Sequence, residues 1–136
     1  MKKAKQVMAA HPNCGNFYHA KMEQFKWTFS YSAIFMVWCA GYLDRPQLVA
    51  FLRQAQKHLI KKEGKGARNA PPASFIFLVD NVLPKDDDTN ESKNQLLRTQ
   101  KEFESIFKAA ELRKYGEPVE HIMPEDYENI MVWALY

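Results

Sequence analysis

The chain has 136 residues, of which 46% are apolar and 26% are charged. This length and composition indicate one globular domain, 1–136, with a core that needs neither disulfides nor metal. The formal net charge is only +3, and cations and acids are interleaved, so nucleic acid is a disfavoured partner. No apolar run reaches the eighteen or so residues of a membrane span, and no histidine spacing matches a metal site.

Two cysteines, Cys14 and Cys39, occur in a chain of a size that needs no disulfide. We interpret both as reduced thiols of an intracellular, cytoplasmic protein. The N-terminal stretch carries several lysines and no acid before Glu23. Because mitochondrial targeting segments are basic and poor in acids, a mitochondrial location is the alternative.

The N-terminal third is rich in aromatic residues. Lys2–Ala10 contains helix-favouring residues and stops before Pro12, which disfavours helix at the residue that precedes it. Asn16–Met22 predicts a short strand, and Glu23–Tyr31 leads into the first buried strand. That strand is the apolar run Ala33–Trp38, and Cys39–Leu43 then predicts a turn.

Asp44 follows that turn and can cap a helix that has Pro46 in its first turn. Apolar residues then recur at spacings of three and four, which gives the helix one buried face. We expect the helix to end at Gly64. The residues of the apolar face are Leu48, Phe51, Leu52, Ala55, Leu59 and Ile60.

The run Ser74–Val79 has no polar alternation and ends at Asp80 and Asn81. Such a run is typical of a strand covered on both faces in a parallel sheet. Two such strands joined by a helix form a strand–helix–strand unit. Because ligands of open α/β sheets bind beyond the carboxyl ends of the strands, Asp80 and Asn81 are the first functional candidates.

A second helix is predicted after Asp86–Asp88, with Thr89 or Asn90 as its cap. Arg113–Glu120 and Asn129–Tyr136 then predict an antiparallel hairpin that closes the chain. The predicted buried face of the second helix comprises Leu96, Leu97, Phe103, Ile106, Phe107 and Ala110.

This order of elements resembles the second half of a class I S-adenosylmethionine-dependent methyltransferase, and in particular the protein alpha-N-terminal methyltransferases, which methylate proteins beginning X-Pro-Lys. The resemblance implies an α/β fold, a truncated Rossmann-like sheet of parallel strands with a C-terminal antiparallel β-hairpin. Four segments carry it in order: Tyr31–Asp44, Leu48–Leu59, Phe75–Asn81 and Leu112–Leu135.

The resemblance assigns roles to five positions. Trp38 matches a tryptophan beside the substrate amine, and Asn81 matches an asparagine that binds the substrate terminus, although a core aromatic and a strand-end cap are the structural alternatives. Val37 stands where the family has glutamine at the cofactor. Tyr42 replaces a histidine, and a phenol is a poor base at neutral pH. Lys93 falls near the position of a family aspartate, where a cation would repel the substrate amine.

The family's glycine-rich loop and its ribose-binding acid have no match before Tyr31. The resemblance therefore implies a pseudoenzyme with no catalytic residues and no cofactor, acting as a structural subunit of a larger protein assembly. The alternative is an S-adenosylmethionine-dependent alpha-N-terminal methyltransferase whose cofactor-binding half comes from another chain or from a missing N-terminal segment.

In the family's sheet order, the strand Ala33–Trp38 would lack one neighbour, and both of its faces would be partly uncovered. We expect other protein subunits to cover it, because exposed apolar edges aggregate. A third hypothesis is a small RNA- or protein-binding module that uses Phe25–Tyr31 and Lys61–Arg68.

Overall fold

The computed structural model describes residues 3, 6–7, 11, 13, 15–16, 18–61, 71–83, 91–92, 95–123 and 129–136. Within these ranges it contains a mixed sheet and two helices, with short 3-10 turns at Met22–Gln24 and Ala40–Tyr42. The elements in chain order are β1 Ala33–Val37, α1 Arg45–Lys57, β2 Phe75–Leu83, β3 Glu91–Ser92, β4 Gln95–Leu96, β5 Arg98–Thr99, α2 Gln100–Ala109, β6 Val119–His121 and β7 Asn129–Leu135.

The main sheet has the strand order β1-β2-β7-β6. Strand β1 runs parallel to β2 from the pair Ala33 and Phe75 onward, and β7 runs antiparallel to both β2 and β6. Strand β5 pairs in parallel with the end of β2. A parallel pair followed by an antiparallel hairpin is the predicted fold class, which is therefore confirmed. Strands β3 and β4 form a separate antiparallel pair.

Helix α1 begins as predicted. The Asp44 carboxylate accepts the Gln47 N–H at 2.8 Å, and the Gln47 side chain accepts the Asp44 N–H at 3.0 Å, which forms a capping box. The helix ends at Lys57, well before the predicted end at Gly64. It stops there because the next residues pair with Tyr31, whose N–H donates to the His58 carbonyl at 2.8 Å.

Helix α2 begins at Gln100, capped by Thr99 and Glu102. The predicted caps Thr89 and Asn90 lie outside the described residues, and the residues before Thr99 form the short strands β4 and β5. Leu96 and Leu97 therefore precede the helix, contrary to the prediction. The other predicted residues of its buried face, Phe103, Ile106, Phe107 and Ala110, are buried.

The N-terminal region differs from the prediction at one element. The expected strand at Asn16–Met22 does not form over its described residues, which are irregular up to the 3-10 turn at Met22. Of the predicted helix Lys2–Ala10, Lys3, Gln6 and Val7 are described and are helical. In the described part of the chain, no helix has both the length and the apolar character that crossing a membrane requires.

One face of the sheet carries both helices. Alternate residues of β1, β2 and β7, such as Met36 and Leu78, lie in a single core cluster with the apolar faces of α1 and α2. Trp133 of β7 is fully buried there, with its ring 4.9 Å from that of Phe103 and 5.5 Å from that of Phe107. We call this the covered face of the sheet.

The opposite face, here called the open face, carries aromatic rings without a helix over them in the described ranges. Phe35 is 68% exposed and stacks on Phe77 at 5.0 Å. Phe75 packs against Tyr115 at 5.2 Å. On the covered face of β1, Met36 is buried to 3% exposure, but Ile34 is only half-buried. The expectation that both faces of β1 are partly uncovered therefore agrees with the structure, although the open face is the more exposed.

Candidate functional site

Strand β1 ends in a strained residue. Trp38 has φ = 50°, in the left-handed region that bulky side chains rarely adopt. Its N–H donates to the Val79 carbonyl at 2.9 Å, which fixes its backbone to β2. The Trp38 side chain is 53% exposed, so the interpretation as a core aromatic does not fit. Strained, exposed residues at strand ends are frequent at functional sites.

Two buried charged residues hold the turn that follows Trp38. The Asp80 Oδ2 atom accepts the Ala40 N–H at 3.0 Å. The Arg98 Nη1 atom donates to the Ala40 carbonyl at 3.1 Å, and its Nη2 atom donates to the Leu43 carbonyl at 2.5 Å. Asp80 and Arg98 are only 8% and 4% exposed. We call this arrangement the Ala40 clamp, because both polar groups of the Ala40 backbone are held by buried side chains.

The electrostatics of the clamp follow from its burial. Loss of water raises the pKa of Asp80, and this outweighs the opposing effects of the Asn81 and Ala40 N–H donors and of Arg98. Burial also disfavours the charged form of Arg98, which lowers its pKa. Burial raises the pKa of the free Cys39 thiol, and the nearby Asp80 carboxylate raises it further. Because both Asp80 oxygens accept backbone N–H groups, Asp80 positions the turn and is a poor candidate for a general base.

Asp80 and Asn81 do not follow β2, as the sequence predicted, but lie inside it. Strand β2 continues to Leu83, with Asp80 paired to Met131 and Asn81 paired to Ile130 of β7. The interpretation of Asn81 as a strand-end cap is therefore wrong. Strand alternation places Asp80 on the covered face and Asn81 on the open face. Both residues still lie beside the carboxyl end of β1, since β1 pairs with β2 only as far as Val79.

Three of the sequence-predicted site residues lie at the end of β1 and in the turn that follows it. Val37 is 46% exposed and Tyr42 is 60% exposed, so both side chains reach solvent near Trp38. The structure therefore brings Val37, Trp38 and Tyr42 to one end of the sheet, with Asn81 on the adjacent strand. Lys93 lies outside the described residues.

Arg98 is the site residue that sequence reasoning missed. The sequence feature that could have identified it is a single cationic residue after Leu96 and Leu97, directly before the capping box of Thr99. A charged residue at that point of an apolar run indicates a buried partner. Besides the Leu96 carbonyl at 3.5 Å, its partners are backbone carbonyls 55 and 58 residues away, which no local pattern identifies.

The sequence resemblance implies S-adenosylmethionine as a candidate ligand of the residues around Trp38. Its adenine and methyl groups suit apolar and aromatic neighbours such as Val37 and Trp38. Its ribose hydroxyls and charged methionine end need polar partners. Among the residues described here, the acids nearest to the turn are engaged, Asp80 in the Ala40 clamp and Asp44 in the cap of α1. These residues therefore fit one side of such a site.

A family model described as AdoMet-dependent proline di-methyltransferase matches residues 1–136. The chain belongs to this family. This result confirms the methyltransferase resemblance at the level of the family. It also shows that the expectation of no cofactor is wrong, because the family uses S-adenosylmethionine.

Solved structures agree on the fold. A SAM-dependent methyltransferase from Leishmania major matches with a TM-score of 0.79 and 23% identity, over 99% of this chain and 50% of that chain. A Burkholderia thailandensis 1,6-didemethyltoxoflavin-N1-methyltransferase, solved with S-adenosylhomocysteine, matches with a TM-score of 0.75 and 8% identity, over 98% of this chain and 55% of that chain. An S-adenosylmethionine-dependent methyltransferase from Clostridium acetobutylicum matches with a TM-score of 0.69 and 9% identity, over 98% of this chain and 69% of that chain. The chain thus spans about half the length of the Leishmania protein.

Proposed function

We propose that this chain forms the acceptor-binding half of an S-adenosylmethionine-dependent methyltransferase that acts on the α-amino group of protein N-termini of the X-Pro-Lys type. The observation that carries the proposal is the Ala40 clamp. It holds the strained Trp38 and the exposed Tyr42 beyond the carboxyl end of β1, where α/β sheets bind ligands. The family model supplies the reaction class.

In this proposal each exposed side chain has a defined task. Trp38 offers a ring face to the substrate ammonium and its neighbouring proline ring, an interaction that aromatic faces make with cations. Tyr42 offers a hydroxyl that donates or accepts a hydrogen bond at the substrate terminus. Asn81 offers an amide on the adjacent strand. For methyl transfer, the substrate ammonium would first lose a proton to solvent. The free amine would then take the methyl group from S-adenosylmethionine, and S-adenosylhomocysteine would leave. The polar ends of the cofactor would be bound by residues other than those described here.

The experiment starts from the tagged chain, isolated under native conditions with the polypeptides that accompany it. Methyl transfer is measured from radiolabelled S-adenosylmethionine to a peptide beginning Ser-Pro-Lys, with the N-acetylated peptide as control. We expect label only on the free amine. Trp38→Ala should lower kcat/KM by about tenfold or more, about 1.4 kcal/mol of transition-state stabilisation. Phe29→Ala, which removes another exposed aromatic ring, should leave kcat/KM unchanged.

A second candidate function is a non-catalytic structural subunit. The observation that favours it is Val37, a half-exposed side chain with no polar atom at the end of β1. The same experiment separates the two functions. A native assembly that binds labelled S-adenosylmethionine on no subunit and methylates neither peptide would contradict the catalytic proposal and support the structural role.

A further inference from the structure

The positive charge of the chain is concentrated in one stretch. Residues 21–61 contain six lysines and arginines and two acids, a formal charge of +4, whereas the whole chain carries +3. Both acids, Glu23 and Asp44, precede α1, so the charged side chains of this helix are all cationic. The net charge of the whole chain therefore understates the charge of this region, which favours an anionic partner.

The structure brings together the two parts of the third sequence hypothesis, the aromatic segment Phe25–Tyr31 and the basic segment Lys61–Arg68. Tyr31 N–H donates to the His58 carbonyl at 2.8 Å, and the Tyr31 carbonyl accepts the N–H two residues further on at 3.0 Å. The aromatic segment therefore lies against the end of α1. Of the basic segment, only Lys61 belongs to the described residues, and it directly follows this pairing.

Phe29 presents an exposed ring at this junction. Its carbonyl accepts a hydrogen bond from the His58 Nδ1 atom at 2.9 Å, and the His58 ring stacks on that of Trp27 with 5.6 Å between ring centres. The backbone of Phe29 is thus fixed, while its side chain is 58% exposed. A ring held in this way can stack on a planar base with little further loss of conformational entropy.

A cleft of about 550 Å³ separates the aromatic segment from α1. Phe25 and Trp27 give it an aromatic side, and among the described residues Glu23 is the one acid in its lining. Lys57 lies three residues after Gln54, a cleft residue, and is therefore its neighbour on the helix surface. We call the polar side of this cleft, together with the exposed ring beside it, the basic cleft: Lys26, Phe29, Gln54, Lys57 and His58.

We propose that the basic cleft binds single-stranded nucleic acid. Phe29 stacks on an unpaired base, Lys26 and Lys57 contact phosphates, and the Gln54 amide binds a base edge. An acidic peptide would satisfy the lysines but offers no base to Phe29. A duplex keeps its bases stacked on one another and also leaves Phe29 without a partner. Single strands are therefore the anionic partner that uses both the ring and the cations.

The basic cleft lies away from the candidate methyl-transfer site. Helix α1 has 13 residues and is thus about 20 Å long. It begins next to the turn that the Ala40 clamp holds, whereas His58 follows its last residue. Binding of nucleic acid at this cleft is therefore independent of the proposed methyl transfer to a short peptide.

The test uses the tagged chain isolated under native conditions with the polypeptides that accompany it, after nuclease treatment. Fluorescence anisotropy measures binding of a labelled RNA of about 12 nucleotides, of single-stranded DNA of the same sequence and of the corresponding DNA duplex. Each titration is repeated from about 50 to 200 mM KCl. We expect a single strand to bind more tightly than the duplex, and the RNA and DNA titrations identify which kind of strand is preferred.

Four variants separate the ring from the cations. Phe29→Ala should weaken binding of the single strand about fivefold or more, as for the loss of one base–ring stack, and Phe29→Tyr should retain it. Lys57→Gln should reduce the slope of log affinity against log salt by about 0.7, which corresponds to one phosphate contact. Tyr115→Ala and Lys101→Gln are the matched controls, since they change an exposed ring and an exposed lysine elsewhere, and should leave affinity and slope unchanged.

Photocrosslinking locates the contact on the chain. The same RNA, with thiouridine in place of uridine, is irradiated with the native preparation, and mass spectrometry should find the crosslink on the peptide that contains Phe29. A crosslink on the accompanying polypeptides alone, no binding at the lowest salt, or equal affinity for the duplex would overturn the inference. It would also be overturned, in favour of a protein partner, if an oligoglutamate peptide displaced the RNA and bound equally well to Phe29→Ala.

Discussion

The two faces of the main sheet each carry a cluster of aromatic rings, but one cluster is buried and the other is largely exposed to solvent. On the covered face, Trp133 packs against Phe103 and Phe107 and has no exposed surface. On the open face, Phe35 stacks on Phe77 at 5.0 Å, a similar ring distance, and remains 68% exposed. Ring contact therefore does not distinguish these clusters, but removal from water does.

This difference in burial means that the two faces contribute differently to the stability of the chain. Hydrophobic stabilisation scales with the apolar area removed from water, at roughly 25 cal/mol per Å². The covered face therefore supplies the stability of the chain, through Trp133 and its neighbours. The open face, where Phe35 is 68% exposed, supplies less of it.

Matched truncations of the two rings would test this assignment most strongly. Trp133→Ala should lower the free energy of unfolding by about 3–5 kcal/mol, because it leaves a cavity between Phe103 and Phe107. Phe35→Ala should cost less than about 1.5 kcal/mol, the upper value for an aromatic pair. Urea unfolding of the purified chain, followed by circular dichroism, measures both. Equal losses would mean that the open face also stabilises the isolated chain.

The second prediction concerns the Ala40 clamp, which lies in the turn beyond the carboxyl end of β1. Arg98→Met removes the hydrogen bonds from a buried charged group to the Ala40 and Leu43 carbonyls, each worth about 1.5–3 kcal/mol, and leaves these carbonyls without that donor. We expect a loss of about 3 kcal/mol in the same unfolding measurement. Trp38 fluorescence should also change, since the clamp fixes the turn that follows it.

Arg53→Met is the matched control for this prediction. Arg53 also donates to a backbone carbonyl, that of Ala109 at 2.8 Å, but from an exposed position. Water replaces an exposed donor, so its loss should cost less than about 1 kcal/mol. A similar cost for the two arginine variants would show that burial of Arg98 adds nothing to the strength of the clamp.

The sequence predicted β1, β2 and the C-terminal hairpin because their signals are local. The unbroken run Ser74–Val79 and the cap at Asp44 each depend on residues within a few positions. The start of α2 was misplaced, since three acids at Asp86–Asp88 imitate a helix start and the true cap, Thr99, lies further along the chain.

The candidate site was predictable only in part. Trp38 and Tyr42 were identified only through the family resemblance, and the Ala40 clamp joins residues 40 and 58 positions apart. The covered face of β1 was not predictable either. Ile34, Phe35, Met36 and Val37 are all apolar, so their sequence does not indicate which face the helices bury.

The smallest predicted effect is a difference in pH dependence between a covered carboxylate and a surface one. Burial raises the pKa of Asp80 above its ordinary value of 3.8. Folded chains therefore hold the Asp80 proton more tightly than unfolded ones, so the stability that Asp80 contributes is complete below pH 3.8 and is lost as the pH rises through the folded pKa.

The pKa of Glu104 is shifted in the opposite direction, because a hydrogen bond from Lys114 at 2.7 Å lowers it below 4.5. Its contribution is present above pH 4.5 and is lost as the pH falls through the folded pKa.

Unfolding free energies of Asp80→Asn and Glu104→Gln, measured against the natural chain from about pH 3 to 7, separate these two signs. The loss of unfolding free energy caused by Asp80→Asn should become smaller as the pH rises. The reason is that burial destabilises the ionised form of Asp80 in the folded chain. The cost of Glu104→Gln should grow over the same range and stay below about 1 kcal/mol, as for other exposed ion pairs. If the cost of Asp80→Asn instead grew with pH, the Asp80 carboxylate would be stabilised by the N–H groups of Ala40 and Asn81 and by Arg98 more than it is destabilised by burial. The end of β1 would then hold a permanent anion, and an ammonium substrate beside Trp38 would be attracted by charge as well as by the ring.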